Sequence, residues 1–418
     1  MGAQWLRFGA SGMLAAGLIA CAPAFAQAAD GPLGATADGL LAAGRQLSPA
    51  LRAAALETAA VSAKAEGADA LDDPTISDSY QYYKDPGAFS AHTVMVTQAF
   101  PLWGKRDLRR EAALADVDAA RGQEQAAQDE LDEKIKLAYA QYYLVSRDMA
   151  VNREIADLAR RMRTAASARY GQGGGDQISV IQAQGEETAA KAEAIRLEGE
   201  RNAVRARLNA LVGRPGNASL AEPGKARAMP ATELVVADLV ERAQAANPSL
   251  AAKNAAIAAA KTRSKLADKA WYPDVTVGGG PLIQTNNRPV GYAATVGFNI
   301  PLSWGHEASD QHEAAVRVGE TEQKYEAALQ EIEGALGEAV AKLRAARATE
   351  ALLQREAMPQ SKATFQTVLA NYSQGKGDLA AAITAEHQMH DVDLRLLQTQ
   401  LEEQADLAAI ERLIGGDL

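Results

Sequence analysis

The fold is decided by the stretch Tyr170-Gly171-Gln172-Gly173-Gly174-Gly175-Asp176, which the chain repeats as Tyr372-Ser373-Gln374-Gly375-Lys376-Gly377-Asp378. In both stretches the glycines permit a sharp reversal, and the aspartate can cap a following helix. Other marks recur in the same order at offsets of 199 to 202 residues, namely Pro49 with Pro248, Pro74 with Pro273, Pro101 with Pro301 and Gly213 with Gly415. The chain is therefore a duplication of one structural unit.

The composition of the 418 residues favours long, closely packed helices over compact globules. Only 5% of the residues are aromatic while 47% are hydrophobic, and alanine is abundant. Small side chains fill little core, but they allow helices to approach each other along their sides. The net charge is −10, and no basic stripe is present, so nucleic acid is excluded as a partner.

The first 28 residues are typical of an export signal. Arg7 supplies the positive start, residues 8–20 the apolar stretch, and Ala26-Gln27-Ala28 a small-residue cleavage site. Cys21, the only cysteine, ends a Leu-Ile-Ala-Cys sequence that resembles a bacterial lipobox. Two alternatives stay open: cleavage near Ala28, or acylation of Cys21. In either case the mature chain has no disulfide framework.

Each copy of the unit predicts the same order of elements. The first repeat, residues 29–213, contains an opening helix, a β-hairpin over 74–102, a long helix over 103–170 and a closing helix over 176–212. A connector over 214–246 follows. The second repeat, residues 247–418, contains an opening helix, a hairpin over 273–302, a long helix over 304–372 and a closing helix over 378–414. The opening helices begin at Ser48-Pro49 and Asn247-Pro248, each with a capping residue before a proline, and run about 24 residues.

The predicted strands alternate between an apolar and a small or polar face. The clearest case places apolar side chains at Tyr292, Ala294, Val296, Phe298 and Ile300. This pattern is typical of a membrane β-barrel but also of a soluble sandwich. Each hairpin ends in a Pro-Leu sequence with Trp-Gly close behind, which predicts strand-to-helix junctions at Pro101, Gly104, Pro301 and Gly305.

The length of the helices that follow favours the membrane protein. About 67 residues give a helix of roughly 100 Å, which no compact soluble domain needs. Apolar residues repeat along both helices at spacings of three and four, as in coiled coils, at Leu131, Ile135, Ala138, Tyr142, Val145 and Met149 and at Leu329, Ile332, Leu336, Ala339, Leu343 and Ala346. Pro359 is expected to kink or locally break the second long helix. The opening and closing helices are together about as long as one long helix, so they could stack end to end beside it.

Four strands cannot close a barrel, and open sheet edges are not tolerated in lipid. The chain must therefore share its barrel with further copies. Two copies would give eight strands and an interior filled by side chains, whereas three would give twelve strands and room for a passage.

The repeated Tyr-x-x-Gly turns, the order of elements and the duplication resemble the bacterial outer-membrane efflux protein family, the TolC-like channels, over essentially the whole mature chain. The resemblance implies a mixed α and β membrane protein in the outer membrane. Three chains would form a twelve-stranded β-barrel that continues into a periplasmic coiled-coil tunnel of α-helices, with residues 214–246 in an equatorial belt.

The resemblance also implies partners and a docking site for this homotrimer. A periplasmic adaptor protein would meet the helix turns and join the channel to an inner-membrane pump of the RND type. That role falls to Tyr170, Gly171, Gly173, Asp176, Tyr372, Gly375 and Asp378.

Two features qualify the resemblance. Some relatives close the tunnel with aspartate rings after the turn, but the corresponding positions here are Ser179, Gln182, Ala381 and Thr384, which leaves Asp176 and Asp378 as candidate gates. The sequence Gly104-Lys105-Arg106 is similar to members that work with heavy-metal pumps, or else places cations near lipid head groups.

No catalytic or cofactor motif is present in the sequence, so we expect no enzyme activity and no cofactor. His387-Gln388-Met389-His390 contains three potential metal ligands, but no further ligand is near in sequence, so no metal site is predicted. The predicted function is a passive exit duct for drugs, metals or other small molecules. The alternatives are the duct of a type I protein secretion system and a structural periplasmic coiled-coil protein without a pore.

Overall fold

The structure is a computed structural model that describes residues 33–82, 90–284, 289–301 and 306–418. The predictions for the export signal over 1–28, for Cys21 and for Gly305 lie outside these residues. So do most of both predicted hairpin turns.

The described helices occur in two matching series. The first repeat contains α1 (Ala37–Leu47), α2 (Pro49–Glu66), α3 (Lys105–Gly171) and α4 (Gln177–Leu211). The second contains α5 (Val236–Ala246), α6 (Pro248–Asp268), α7 (His306–Leu352), α8 (Met358–Ser373) and α9 (Leu379–Ile414). A 3₁₀ turn at Lys269–Trp271 extends α6.

Two helices were not expected from the sequence, because α1 and α5 precede the predicted starts of the opening helices. The helix α5 occupies the end of the connector expected over residues 214–246. The opening helices themselves are shorter than the expected 24 residues, at 18 for α2 and 21 for α6. Asn247 caps α6 by accepting a hydrogen bond from the Leu250 N–H, whereas the Ser48 side chain makes no such bond to α2.

The short helices stack end to end beside the long ones. Both α2 and α4 contact α3, and both α6 and α9 contact α7. The chain ends of each pair approach closely: a Cβ atom on Gly213 would lie 2.7 Å from the Leu47 carbonyl oxygen, and one on Gly415 2.5 Å from that of Ala246. Since both glycines also have φ near +70°, only glycine fits these two junctions.

The predicted helix seams are largely buried. In α3, Leu131, Ile135, Ala138 and Tyr142 pack with residues of α1 and α4. In α7, Ile332, Leu336, Ala339 and Leu343 pack with residues of α5, α6 and α9. Pro359, which was expected to kink or locally break the second long helix, follows a five-residue π-helical turn at Leu353–Ala357 that interrupts this helix, because proline lacks the N–H that would continue the α-helical ladder.

The described strands form one antiparallel sheet in the order β1-β2-β3-β4, from Thr75–Gln81, Ala91–Phe100, Val275–Gln284 and Gly291–Phe298. Pairing of β2 with β3 joins the two repeats. The register places one set of apolar side chains on the same face, and they are exposed: Ile76, Tyr80, Val96, Val277, Tyr292, Val296 and Phe298. The other face holds small and polar residues such as Thr97, Gly278 and Thr295.

Among the described residues, no helix combines the length and the apolarity needed to cross a lipid bilayer.

Candidate functional site at the helix turns and the strand exits

The two predicted helix turns have the same backbone geometry. Gly173 and Gly375 both adopt φ +76°. Their N–H groups donate to the carbonyl oxygens of Tyr170 and Tyr372, each at 3.0 Å, and the next N–H in each turn donates five residues back at 2.9 to 3.0 Å. Glycine at this left-handed position satisfies the last carbonyl groups of the preceding helix and reverses the chain. We call residues 170–178 and 372–380, the ends of the two hairpins, the tip.

The two tip aspartates differ in their bonding. The carboxylate of Asp176 accepts a hydrogen bond from the Ser179 N–H at 2.8 Å and caps α4. Hydrogen bonding from Ser179 also lowers the pKa of Asp176. Asp378 stands at the same position of α9 without a side-chain cap bond. The duplicated sequence therefore does not give a duplicated bonding pattern, and Asp176 is already engaged in the helix end.

The two tip tyrosines also differ. Tyr170 is 51% exposed, whereas Tyr372 is 6% exposed and packs with residues of all four tip helices, among them Met162, Ala183 and Leu379. Arg169 connects the hairpins, since its Nη1 donates to the Tyr372 carbonyl oxygen at 3.2 Å and its guanidinium lies 5.3 Å from the ring centroid. Tyr372 is thus a packing residue, and Tyr170 remains available at the surface.

The tip has an accessible surface. A groove between the turns is lined by Arg169, residues 173–176 and residues 375–378. Gly171 and Gly173 have no other atoms within 4 Å of a Cβ position, so their backbone is open. Nearby on α4, Ile178 and Ile181 are 63% and 58% exposed. An open backbone beside exposed aliphatic side chains suits contact with another protein.

The segment that follows β2 in the first repeat contacts the segment that precedes β3 in the second. Trp103 donates from Nε1 to the Pro273 carbonyl oxygen at 2.7 Å, and its ring lies 5.4 Å from that of Tyr272. Trp103 and Gly104 both have positive φ, at 64° and 75°, which turns the chain from β2 into α3 directly after Pro101. Pro301 is described without regular structure, one residue before an undescribed segment.

Lys105 and Arg106, the two cations of the Gly104-Lys105-Arg106 sequence, hold this junction together. The Lys105 ammonium donates to Asp274 Oδ2 at 2.8 Å and to the Tyr272 carbonyl oxygen at 2.9 Å, and its side chain is 8% exposed. Arg106 Nε donates to the Asp69 carbonyl oxygen at 2.6 Å. Both cations are therefore engaged by the protein, and no feature of the sequence indicated Asp274 as a partner.

A charge network links the connector to both repeats halfway along the long helices. Buried Lys136 of α3 contacts Glu411 of α9 at 2.7 Å and Asp417 at 2.5 Å. Arg227 of the connector donates to both Glu411 oxygens at 2.8 Å. The contact with Lys136 lowers the pKa of Asp417. Nearby, Arg45 of α1 pairs with Asp132 of α3. Sequence analysis missed this network because its members come from distant segments.

Together, the sheet with an exposed apolar face, the long helices and the duplicated turns define an outer-membrane channel protein with a helical extension. Its sequence matches the profile of the family described as outer membrane efflux protein over residues 40–214 and 239–416, so the chain belongs to this family. The two matched segments are the two repeats, and the second includes most of α5. The predicted family is confirmed. As members of this family do, the protein lies in the outer membrane and extends into the periplasm. The family is one of channels rather than enzymes.

Several solved structures have a similar fold. The outer membrane protein VceC of Vibrio cholerae is 19% identical, with a TM-score of 0.76 over 91% of this chain and 96% of that chain. The MtrE outer membrane channel of Neisseria gonorrhoeae, in its open state, is 18% identical, with a TM-score of 0.73 over 91% and 89%. The CmeC outer membrane channel of Campylobacter jejuni is 12% identical, with a TM-score of 0.75 over 94% and 90%. No curated protein sequence matches the chain.

Proposed function

We propose that three copies of this chain form the exit duct of a tripartite efflux system. Small molecules delivered by an energised inner-membrane pump, for which the resemblance favours the RND type, would diffuse passively through the duct to the exterior. A periplasmic adaptor would connect pump and duct at the tip. The observation that carries the proposal is the described sheet, whose outer strands β1 and β4 are paired on one side only.

Open sheet edges are not stable in lipid, since unpaired N–H and C=O groups find no water there. Since each of the three neighbouring pairs is antiparallel, the two outer strands β1 and β4 also run in opposite directions. The β4 edge of one chain can therefore pair with the β1 edge of the next. Three chains give twelve strands, which supports a barrel with a water-filled interior.

The two faces of the sheet suit this arrangement. Tyr292 is 88% exposed, and the apolar side chains on its face would contact lipid. Thr97, Gly278 and Thr295 on the other face are small or weakly polar, so they would line a passage without filling it. A protein with only a structural periplasmic role has no need of such an apolar face.

Conductance tests the duct directly. We expect purified trimers, reconstituted into planar bilayers, to conduct ions in steps of one size. Val296→Asp, which places a charge on the apolar face, should reduce insertion, whereas Thr295→Asp on the opposite face should insert normally and change ion selectivity. Folded trimers that insert without conducting would refute the duct.

Adaptor docking at the tip is tested by substitutions at the two left-handed glycines. Gly173→Glu puts a bulky charge where the backbone is open, and Gly375→Glu puts one where a Cβ atom would lie 3.7 Å from Arg169 Nη2, so we expect export to be lost while trimers persist. Gly199→Glu on α4 is a matched control, because that glycine is also open to solvent but lies far from the tip along the helix. Gly173→Asn separates backbone strain from docking, since asparagine tolerates positive φ, and should keep most export. Wild-type export by both glutamate variants would contradict docking at the tip.

The type of cargo distinguishes efflux from protein secretion. Cells that lack the protein should accumulate small toxic compounds and regain resistance when it is restored. Loss of a secreted protein from the medium, with unchanged resistance, would instead assign the duct to a type I secretion system.

A further inference from the structure

His387, for which the sequence predicted no metal site, lies close to two carboxylates in the structure. Glu186 belongs to α4 of the first repeat, whereas Glu386 and His387 belong to α9 of the second. The distance from His387 Nε2 to Glu186 Oε2 is 3.0 Å and to Glu386 Oε2 is 3.7 Å. One donor atom from each of the three residues lies within 4.8 Å of the others. The sequence did not indicate this group of three residues, because Glu186 comes from the other repeat.

Glu386 has a bonding capacity that the protein leaves unused. Glu386 is only 6% exposed, and its Oε1 atom has no hydrogen-bond partner among the described residues. A buried carboxylate oxygen without a hydrogen-bond partner destabilises the protein. The nearby Glu186 carboxylate adds negative charge instead of compensating it. A bound cation would satisfy both carboxylates at once.

We propose that Glu186, Glu386 and His387 bind a divalent transition-metal ion of the Zn²⁺ class. A zinc ion about 2 Å from each ligand in a tetrahedral site holds the ligand atoms about 3.3 Å apart, between the two distances found here. The imidazole nitrogen favours such ions over Ca²⁺ and Mg²⁺, which prefer oxygen ligands only. Because the His387 side chain is 56% exposed, the ion can enter from solvent and water can complete its coordination.

The position of the site gives the ion a structural consequence. Glu186 follows the tip residue Asp176 by ten residues, and His387 follows Asp378 by nine, so the site lies about 15 Å along the helices from both turns. The ion would join the first hairpin to the second and resist their separation at the tip. This consequence concerns one chain and does not depend on what the channel transports.

Metal analysis of the full-length trimer tests the site. The purified protein is treated with a chelator, dialysed against Zn²⁺ and analysed for bound metal. We expect one Zn²⁺ per chain, with the affinity reduced at least tenfold in Glu386→Gln and in His387→Gln. His312→Gln and Glu402→Gln remove an exposed histidine and an exposed carboxylate elsewhere and should leave binding unchanged. Undiminished binding by His387→Gln, or loss of binding in the two controls, would overturn the site.

The bridge between repeats needs a separate measurement. Glu186→Gln should weaken Zn²⁺ binding by a similar factor, although it changes the other hairpin. In the wild type, Zn²⁺ should slow amide hydrogen exchange in the tip segments of both hairpins, and in His387→Gln it should not. If Glu186→Gln binds Zn²⁺ like the wild type, or if exchange slows in one hairpin alone, the bridging assignment is wrong. Trimers of each variant are verified before metal is added.

Discussion

Replacing Glu403 by glutamine should stabilise the protein, and only above acidic pH. Glu403 lies on α9 with 4% of its surface exposed, and its Oε1 has no hydrogen-bond partner among the described residues. Burial, together with the charge of nearby Glu350 and the proton the two can share, raises the pKa of Glu403 to about 7. Arg347 opposes this shift without cancelling it.

The expected magnitude follows from the shift. The rise of the Glu403 pKa from its ordinary value of 4.5 to about 7 corresponds to about 3 kcal/mol per chain. The folded state binds the proton of Glu403 more tightly than the unfolded state does, so the stability that this protonation contributes is fully present below about pH 4.5. It falls as the pH rises and levels off above about pH 7. Glutamine stays neutral throughout and keeps the shape of the protonated acid, so this loss disappears.

Chemical unfolding of purified trimers, followed by circular dichroism between about pH 4.5 and pH 8.5, measures the effect. Wild type and Glu403→Gln should be equally stable at the acidic end, and the variant should be more stable by up to about 3 kcal/mol per chain at the basic end. Glu402→Gln changes the exposed neighbouring carboxylate and serves as the control. A difference between wild type and Glu403→Gln that is the same at every pH, or absent at pH 8.5, would refute a neutral buried acid at this position.

Two further substitutions test the packing of the repeats. Glu411→Gln removes negative charge that compensates Arg227 and buried Lys136, so we expect it to lower the free energy of unfolding by about 3 to 5 kcal/mol in denaturant titrations. Glu133→Gln breaks the more exposed pair with Arg412 and should lower the free energy of unfolding by less than about 1 kcal/mol. Equal effects of the two substitutions would contradict the importance of burial. Gly280→Ala would place a Cβ atom 1.8 Å from the Val94 carbonyl oxygen and should separate β2 from β3. The expected result is a loss of the trimers that resist heating in detergent. Gly279→Ala, whose Cβ atom would lie 3.6 Å from its nearest neighbour, should keep these trimers.

Local signals made much of the fold predictable from sequence. Proline, glycine and capping residues act within one turn of chain, so the turns at Gly173 and Gly375 and the helix start at Asn247 were found correctly. The alternation along β4 also identified its exposed apolar face. The same signals failed for α1 and α5, because each is a single short helix whose end is marked only by the start of the next one.

The candidate tip could be located from sequence but not described in detail. Tyr170 and Tyr372 occupy matching positions in matching turns, and nothing in either sequence tells them apart. Only the packing of the two hairpins buries Tyr372 beneath Arg169 and leaves Tyr170 at the surface. Asp176 and Asp378 likewise look equivalent in the sequence, yet only Asp176 accepts a capping hydrogen bond.

The duplication, the strand pattern and the extent of the two long helices follow from the sequence alone, since each depends on the order and spacing of residues along one segment. The tertiary structure decided which charges meet. Lys105 reaches Asp274, Lys136 reaches Glu411, and His387 reaches Glu186, in every case across the two repeats. The rotation and height at which one helix packs against another set these contacts. Periodicity within a single helix carries no information about either quantity.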